Sequence, residues 1–186
     1  MIGQYRIYRF LYLVGLFALA ISLIGCSKTE EKPDLSNQIS PSMQKEWDAS
    51  NTIVYNVDVN NYSDRLKPLH QVILKILGDS VIMESLGDDP FLETQPLNLK
   101  DSGQYWAKIR MTSPSQTAAQ VYFLRPGFDS REDDSFQVIV FKGKNQFIVK
   151  LKDPQTLTKI RFDPGMVPGT YVLEEFIVKK ISDKGQ

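Results

Sequence analysis

From residue 52 onward the chain alternates, and that alternation limits its fold more than any other feature. Thr52 to Val59 sets Ile53, Tyr55, Val57 and Val59 on one side and Asn56 and Asp58 on the other. Gln104 to Met111 sets Tyr105, Ala107, Ile109 and Met111 against Trp106, Lys108 and Arg110. Period-2 patterning of this kind belongs to strands with one face buried and one face wet. The runs Gln71–Leu77, Ser80–Glu84, Ala119–Leu124, Phe136–Lys142, Gln146–Leu151, Leu157–Phe162 and Tyr171–Ile181 add further strands. Between them stand turn formers: Gly78-Asp79, Gly87-Asp88-Asp89-Pro90, Ser113-Pro114-Ser115, Arg125-Pro126-Gly127, Gly143-Lys144-Asn145, Asp163-Pro164-Gly165 and Val167-Pro168-Gly169. Phe136–Lys142 and Gln146–Leu151 read as a hairpin across Gly143-Lys144-Asn145, whereas Asn60–Pro68 reads as a polar loop. About nine short strands and no long helix predict an all-β antiparallel sandwich or barrel over residues 51–182.

The first 50 residues are different in kind. Arg6 and Arg9 precede an apolar run from Phe10 to Ile24. At 1.5 Å per residue a helix over that run covers about 22 Å, short of a bilayer core of roughly 30 Å. A basic start, a short apolar core and a small residue at its end make a secretory leader over residues 1–25. Residues 26–50 are polar and proline-bearing, a composition that buries too little to order itself, and they read as a tether. Met43 to Trp47 allows one helical turn, with Trp47 packing on the domain edge.

The leader ends in Leu23-Ile24-Gly25-Cys26, which resembles the lipobox of bacterial lipoproteins. The resemblance implies diacylglycerol on the Cys26 thiol, cleavage before it and acylation of the new amine, with palmitate-type chains holding the protein in a membrane. Two or more chains anchor firmly where one does not. An uncleaved signal anchor with an incidental cysteine is the other reading of the same residues. Ser27, where an aspartate is associated with inner-membrane retention, points to the outer membrane, facing the periplasm.

Charge and cysteine content narrow the function classes. The chain carries 22 basic and 22 acidic residues. Removing Arg6 and Arg9 with the leader leaves 20 against 22, a formal charge of −2. A slightly acidic body argues against nucleic acid, which demands a basic surface. Cys26 is the sole cysteine, so a lipidated chain has no disulfide and holds together by packing. There is one histidine, His70, and no Gly-x-Ser-x-Gly elbow or His/Cys metal spacing. No enzyme activity, cofactor or metal is therefore expected. Asp88-Asp89 reads as a turn, with a structural calcium as the other reading, and Arg131 to Asp134 reads as a solvated loop.

The order of the β segments carries a second resemblance. Gly87-Asp88-Asp89-Pro90-Phe91-Leu92, Tyr105 to Met111, Ala119 to Phe123, Lys159 to Gly165 and Pro168-Gly169-Thr170-Tyr171 follow one another with jelly-roll spacing. Over Ile53 to Ile181 this looks like the galactose-binding-like jelly rolls of carbohydrate-binding modules. Sugar binding is implied by that resemblance and asks for aromatic platforms with planar polar neighbours. Trp106, Lys108 and Arg110, with Gln120, Tyr122 and Arg161, are the candidates, and they form one patch if their strands share a sheet. Each has a structural reading as well: Trp106 as core, Lys108 and Arg110 as rim, Arg161 as an ion-pair partner of Asp163. Two functions remain: a lipid-anchored module for an envelope or surface polysaccharide, or a structural lipoprotein that docks an envelope protein.

Overall fold

The computed structural model describes residues 39–99, 102–127 and 130–181. Cys26 and the leader lie outside the described residues. A helix, α1 (Pro41–Ala49), precedes β1 (Thr52–Val57), a one-turn helix α2 (Tyr62–Arg65) and strands β2 (Leu66–His70), β3 (Val72–Leu77), β4 (Ser80–Ser85) and β5 (Phe91–Thr94). Then follow β6 (Gln104–Ser113), β7 (Thr117–Leu124), a short 3-10 turn (Glu132–Asp134), β8 (Ser135–Val140), β9 (Gly143–Lys150), β10 (Lys159–Asp163) and β11 (Gly169–Ile181). Two antiparallel sheets result. Sheet A runs β3-β4-β11-β6-β9, with β1 also on β11, and sheet B runs β2-β5-β10-β7-β8.

The alternation does what the sequence requires. Ala107, Ile109 and Met111 of β6, Phe147 and Val149 of β9, and Phe176 and Val178 of β11 face inward from sheet A. Val121, Phe123, Ile160, Phe162 and Leu92 meet them from sheet B. Phe162 and Phe176 touch edge to face across the layers, 6.3 Å between centroids. Such a pair adds modestly to the burial that holds the two sheets together.

Five expectations need correction. Residues 41–49, read as the end of a tether, form the helix α1, which orders because Trp47 is buried against Trp106 and Ile148. Phe136–Lys142 and Gln146–Leu151 are not a hairpin, for β8 pairs with β7 in sheet B whereas β9 pairs with β6 in sheet A. The chain crosses between layers at Phe141 to Gly143, where Asn145 clips the corner. Its side chain accepts from the Phe141 N–H and donates to the Phe141 and Gly143 carbonyls, each at 2.8 Å. Gly143 takes φ +99° there, a conformation side chains resist. Asn60–Pro68 is not all loop, since it holds α2 and the start of β2; Pro68 is tolerated because β2 is an edge strand. Phe91–Thr94 is a strand too, which brings the described total to eleven. Ile53 is 53% exposed, because a bulge between Ile53 and Tyr55 breaks the alternation.

Candidate functional site

The six predicted residues do not form one patch. β6 belongs to sheet A and β7 and β10 to sheet B, so Trp106, Lys108 and Arg110 point away from one side of the sandwich and Gln120, Tyr122 and Arg161 from the other. The two outer faces have different fates.

On sheet A the outer face is closed. Trp106 is 1% exposed and packs with Ile39, Trp47, Ile148 and Ile181. α1 delivers Trp47 to that cluster. Ser40 caps its first turn by accepting from the Met43 N–H at 3.2 Å. Lys179 closes its last turn by donating to the Trp47 and Ser50 carbonyls at 3.2 and 2.8 Å. Lys179 and Lys108 lie over the Trp47 ring at 4.6 and 5.8 Å, and Lys150 lies over Trp106 at 4.9 Å. Lys108 also meets Glu175 at 3.3 Å, and Arg110 bridges Glu174 and Glu175 at 3.2 and 3.4 Å. The indole is core, and the cations beside it are spent on the strand next door.

On sheet B planar groups from four strands line up across the outer face, buried at Tyr122 and exposed at His70. Tyr122 of β7, Arg161 of β10, Phe91 of β5 and His70 of β2 stack in series. The Arg161 guanidinium lies 4.9 Å from the Tyr122 ring centre and 3.7 Å from that of Phe91. Phe91 in turn stacks on His70 at 5.4 Å and 26°. Cross-strand register makes the ladder: Arg161 opposes Tyr122 on one side and Glu93 on the other, and Phe91 opposes His70. Asp163 grips Arg161 with two bonds of 2.8 Å, and Asp89 and Ser130 reach the same guanidinium at 3.4 and 3.2 Å. Burial pushes the Asp163 carboxyl up, and the Arg161 contact offsets this only in part. Burial alone would depress Arg161, but its bonds to Asp163 raise it.

The loop before β8 reaches onto this face, which sequence reading missed. Arg131 and Asp133 are solvated and pair with each other, as expected of a charged loop. Glu132 instead bends down: its Oε1 accepts from the Tyr122 hydroxyl at 2.6 Å and its Oε2 from Gln120 Nε2 at 2.7 Å. The Tyr122 bond, then the Gln120 bond, hold the Glu132 carboxyl below its ordinary range. Burial, followed by the Glu132 bond, pushes the Tyr122 hydroxyl up. No local sequence signal separates Glu132 from its charged neighbours. Beyond the end of β7, a cleft of about 410 Å³ lies between this loop and Lys152-Asp153, floored by Phe123 and flanked by Arg125 paired with Asp134 and Asp153. Among the described residues no cluster of three His, Cys, Asp or Glu side chains could hold a metal ion.

The architecture has solved counterparts. The C-terminal family 22 carbohydrate-binding module of Clostridium thermocellum Xyn10B superposes with a TM-score of 0.55 at 10% identity, over 73% of this chain and 98% of the module. The chain thus shares the jelly-roll β-sandwich fold of that module. The N-terminal family 22 module and catalytic unit of the same xylanase, crystallised with xylohexaose, gives 0.54 at 10% identity over 73% of this chain. The agarase AgWH50C gives 0.53 at 9% identity over 68% of this chain. The chain spans only 30% and 25% of those two larger proteins. No protein-family model and no curated protein sequence matches the chain.

Proposed function

We propose that the protein binds a glycan on the outer face of sheet B and does no chemistry on it. The observation that carries this is the Tyr122–Arg161–Phe91–His70 ladder, open to solvent at His70 and bordered by Gln120, Gln137, Asp89 and Asp163. Rigid planar groups edged with amide and carboxylate oxygens suit the hydroxyl pairs of a sugar, and they lose little entropy on binding. A nearly full-length structural counterpart that is itself a carbohydrate-binding module supports the choice. Hydrolysis would need two free carboxyl groups flanking a bond. Here Asp163 is tied to Arg161, Glu93 to Lys159 and Glu132 to Tyr122.

Calorimetric titration of the detergent-solubilised full chain with envelope and plant polysaccharides tests the proposal. Tryptophan fluorescence would be silent, because Trp47 and Trp106 both lie on the sheet A side. Saturable binding that vanishes in Arg161→Ala is expected, and a folded chain that binds no glycan overturns the assignment. On the same footing the protein is a lipoprotein acylated at Cys26, held in the bacterial outer membrane and facing the periplasm. Incorporation of an alkynyl palmitate analogue, lost in Cys26→Ser, checks the anchor.

One observation favours a protein partner instead. β3 is an edge strand with Ile73, Ile76 and Leu77 exposed, and its one charge, Lys75, is paired with Glu84. Unpaired backbone with apolar side chains invites strand addition. In-cell photocrosslinking from position 76 that traps no envelope protein would dismiss this alternative.

A further inference from the structure

The loop residue Glu132 shows what the sheet B face is built to hold. Its carboxylate is gripped at both oxygens, one by the Tyr122 hydroxyl at 2.6 Å and one by Gln120 Nε2 at 2.7 Å. The two donors stand at i and i+2 on β7, so they rise from the same side of one strand, and their long side chains converge, one on each oxygen of the same carboxylate. The cradle is also braced. Gln120 Nε2 donates a second bond to Ser135 Oγ at 2.9 Å, and Ser135 Oγ donates to the Glu132 carbonyl at 2.7 Å. Behind it stands Arg161, stacked on the Tyr122 ring and neutralised by Asp163. Tyr122 is 6% exposed and fixed, whereas Glu132 is an exposed side chain on a three-residue turn. The donors are therefore built in, and their acceptor is exchangeable.

Resting on the glycan-binding reading of this face, we propose that Tyr122 and Gln120 form a carboxylate subsite, that Glu132 occupies it when no ligand is bound, and that the glycan taken up is an acidic one bearing uronic acid residues. A uronate carboxylate entering as Glu132 swings out exchanges one carboxylate for another. The charge beside Arg161 and Asp163 stays the same, and both donors stay satisfied. A neutral sugar offers hydroxyls, which accept more weakly than a carboxylate from the same two donors. Glu132 then acts as a tethered competitor. An internal carboxylate that fills the subsite about nine-tenths of the time weakens the apparent affinity about tenfold.

The experiment is a calorimetric titration of the full chain, its Glu132→Ala variant and its Gln120→Ala variant with trigalacturonate and with the same trisaccharide reduced at its carboxyls. Trigalacturonate is expected to bind the full chain, to bind Glu132→Ala about tenfold tighter and to lose most of its affinity in Gln120→Ala. The reduced sugar is expected to bind weakly and to gain nothing from Glu132→Ala. Equal binding of the two sugars, with no gain in Glu132→Ala, overturns the carboxylate subsite and leaves the glycan face standing. Tighter binding of the acidic sugar without any gain in Glu132→Ala overturns the role of Glu132 as resident ligand. Failure of both sugars and of every other polysaccharide overturns the glycan face itself.

Discussion

The two outer faces of this sandwich begin from the same pattern and end as opposites. β6 and β7 each place an aromatic residue and planar or cationic neighbours outward: Trp106 with Lys108 and Arg110, Tyr122 with Gln120. On sheet A, α1 lies down over Trp106, and Lys108 and Arg110 turn to Glu174 and Glu175. On sheet B no helix among the described residues lies over the ladder; a loop touches the face through Ser130, Glu132 and Ser135. An outward aromatic is therefore not in itself a platform. What lies above it decides whether it stabilises the fold or meets a ligand.

The largest break in this contrast is expected from Trp106→Ala. Emptying a fully buried indole site should cost about 3–5 kcal/mol, read as a shift in the denaturant midpoint. Glycan affinity of the remaining folded fraction should be unchanged. A stable Trp106→Ala chain that no longer binds would mean that sheet A carries the site. Arg161→Ala comes next. It strands the partly buried Asp163 and separates Tyr122 from Phe91, for a cost of about 2–3 kcal/mol after allowance for partial exposure, together with loss of glycan binding. Loss of stability alone would make the ladder purely structural. Trp47→Ala should free α1 from sheet A for about 2 kcal/mol, and hydrogen exchange in residues 41–49 should rise while sheet B stays protected.

The smallest effect is one of pH. Glu132 has a folded pKa below its ordinary value of 4.5, so its contribution is complete above that value and is lost as pH falls through the folded one. Asp163 has the opposite sign: its pKa is raised by burial, so its ionised form disfavours folding, and protonation on acidification removes that cost. Stability curves of the chain and of Glu132→Gln should thus differ near neutrality and converge in acid. A gap that is constant with pH would mean that the Glu132 contact does not depend on its charge.

Much of the fold was legible because strand alternation is local. β6, β7 and β11 stand where the patterns of Gln104–Met111, Ala119–Leu124 and Tyr171–Ile181 put them, and the Gly78-Asp79 turn joins β3 to β4 as expected. The failures lie where pairing is non-local or the local pattern is weak. β8 and β9 alternate well and flank a good turn, yet the chain there changes sheets, since β9 is the strand that completes β6. β5 was too short and β2 too polar to announce themselves. Half of the candidate site, Gln120, Tyr122 and Arg161, was readable as an outward row. Phe91, His70 and Glu132 were not, because they join it only through register and a loop.

Local sequence settled which residues of each strand are apolar, where most turns fall and that the body is built mainly of strands. Those properties follow from period-2 geometry and from glycine and proline, and they need no partner. Tertiary structure alone decided which strands share a sheet, which outer face α1 covers and which carboxylate meets Tyr122. Backbone donors and acceptors are the same on every strand. Partner choice is therefore made by side chains far apart in sequence, through the shared core of Ile109, Phe162 and Phe176.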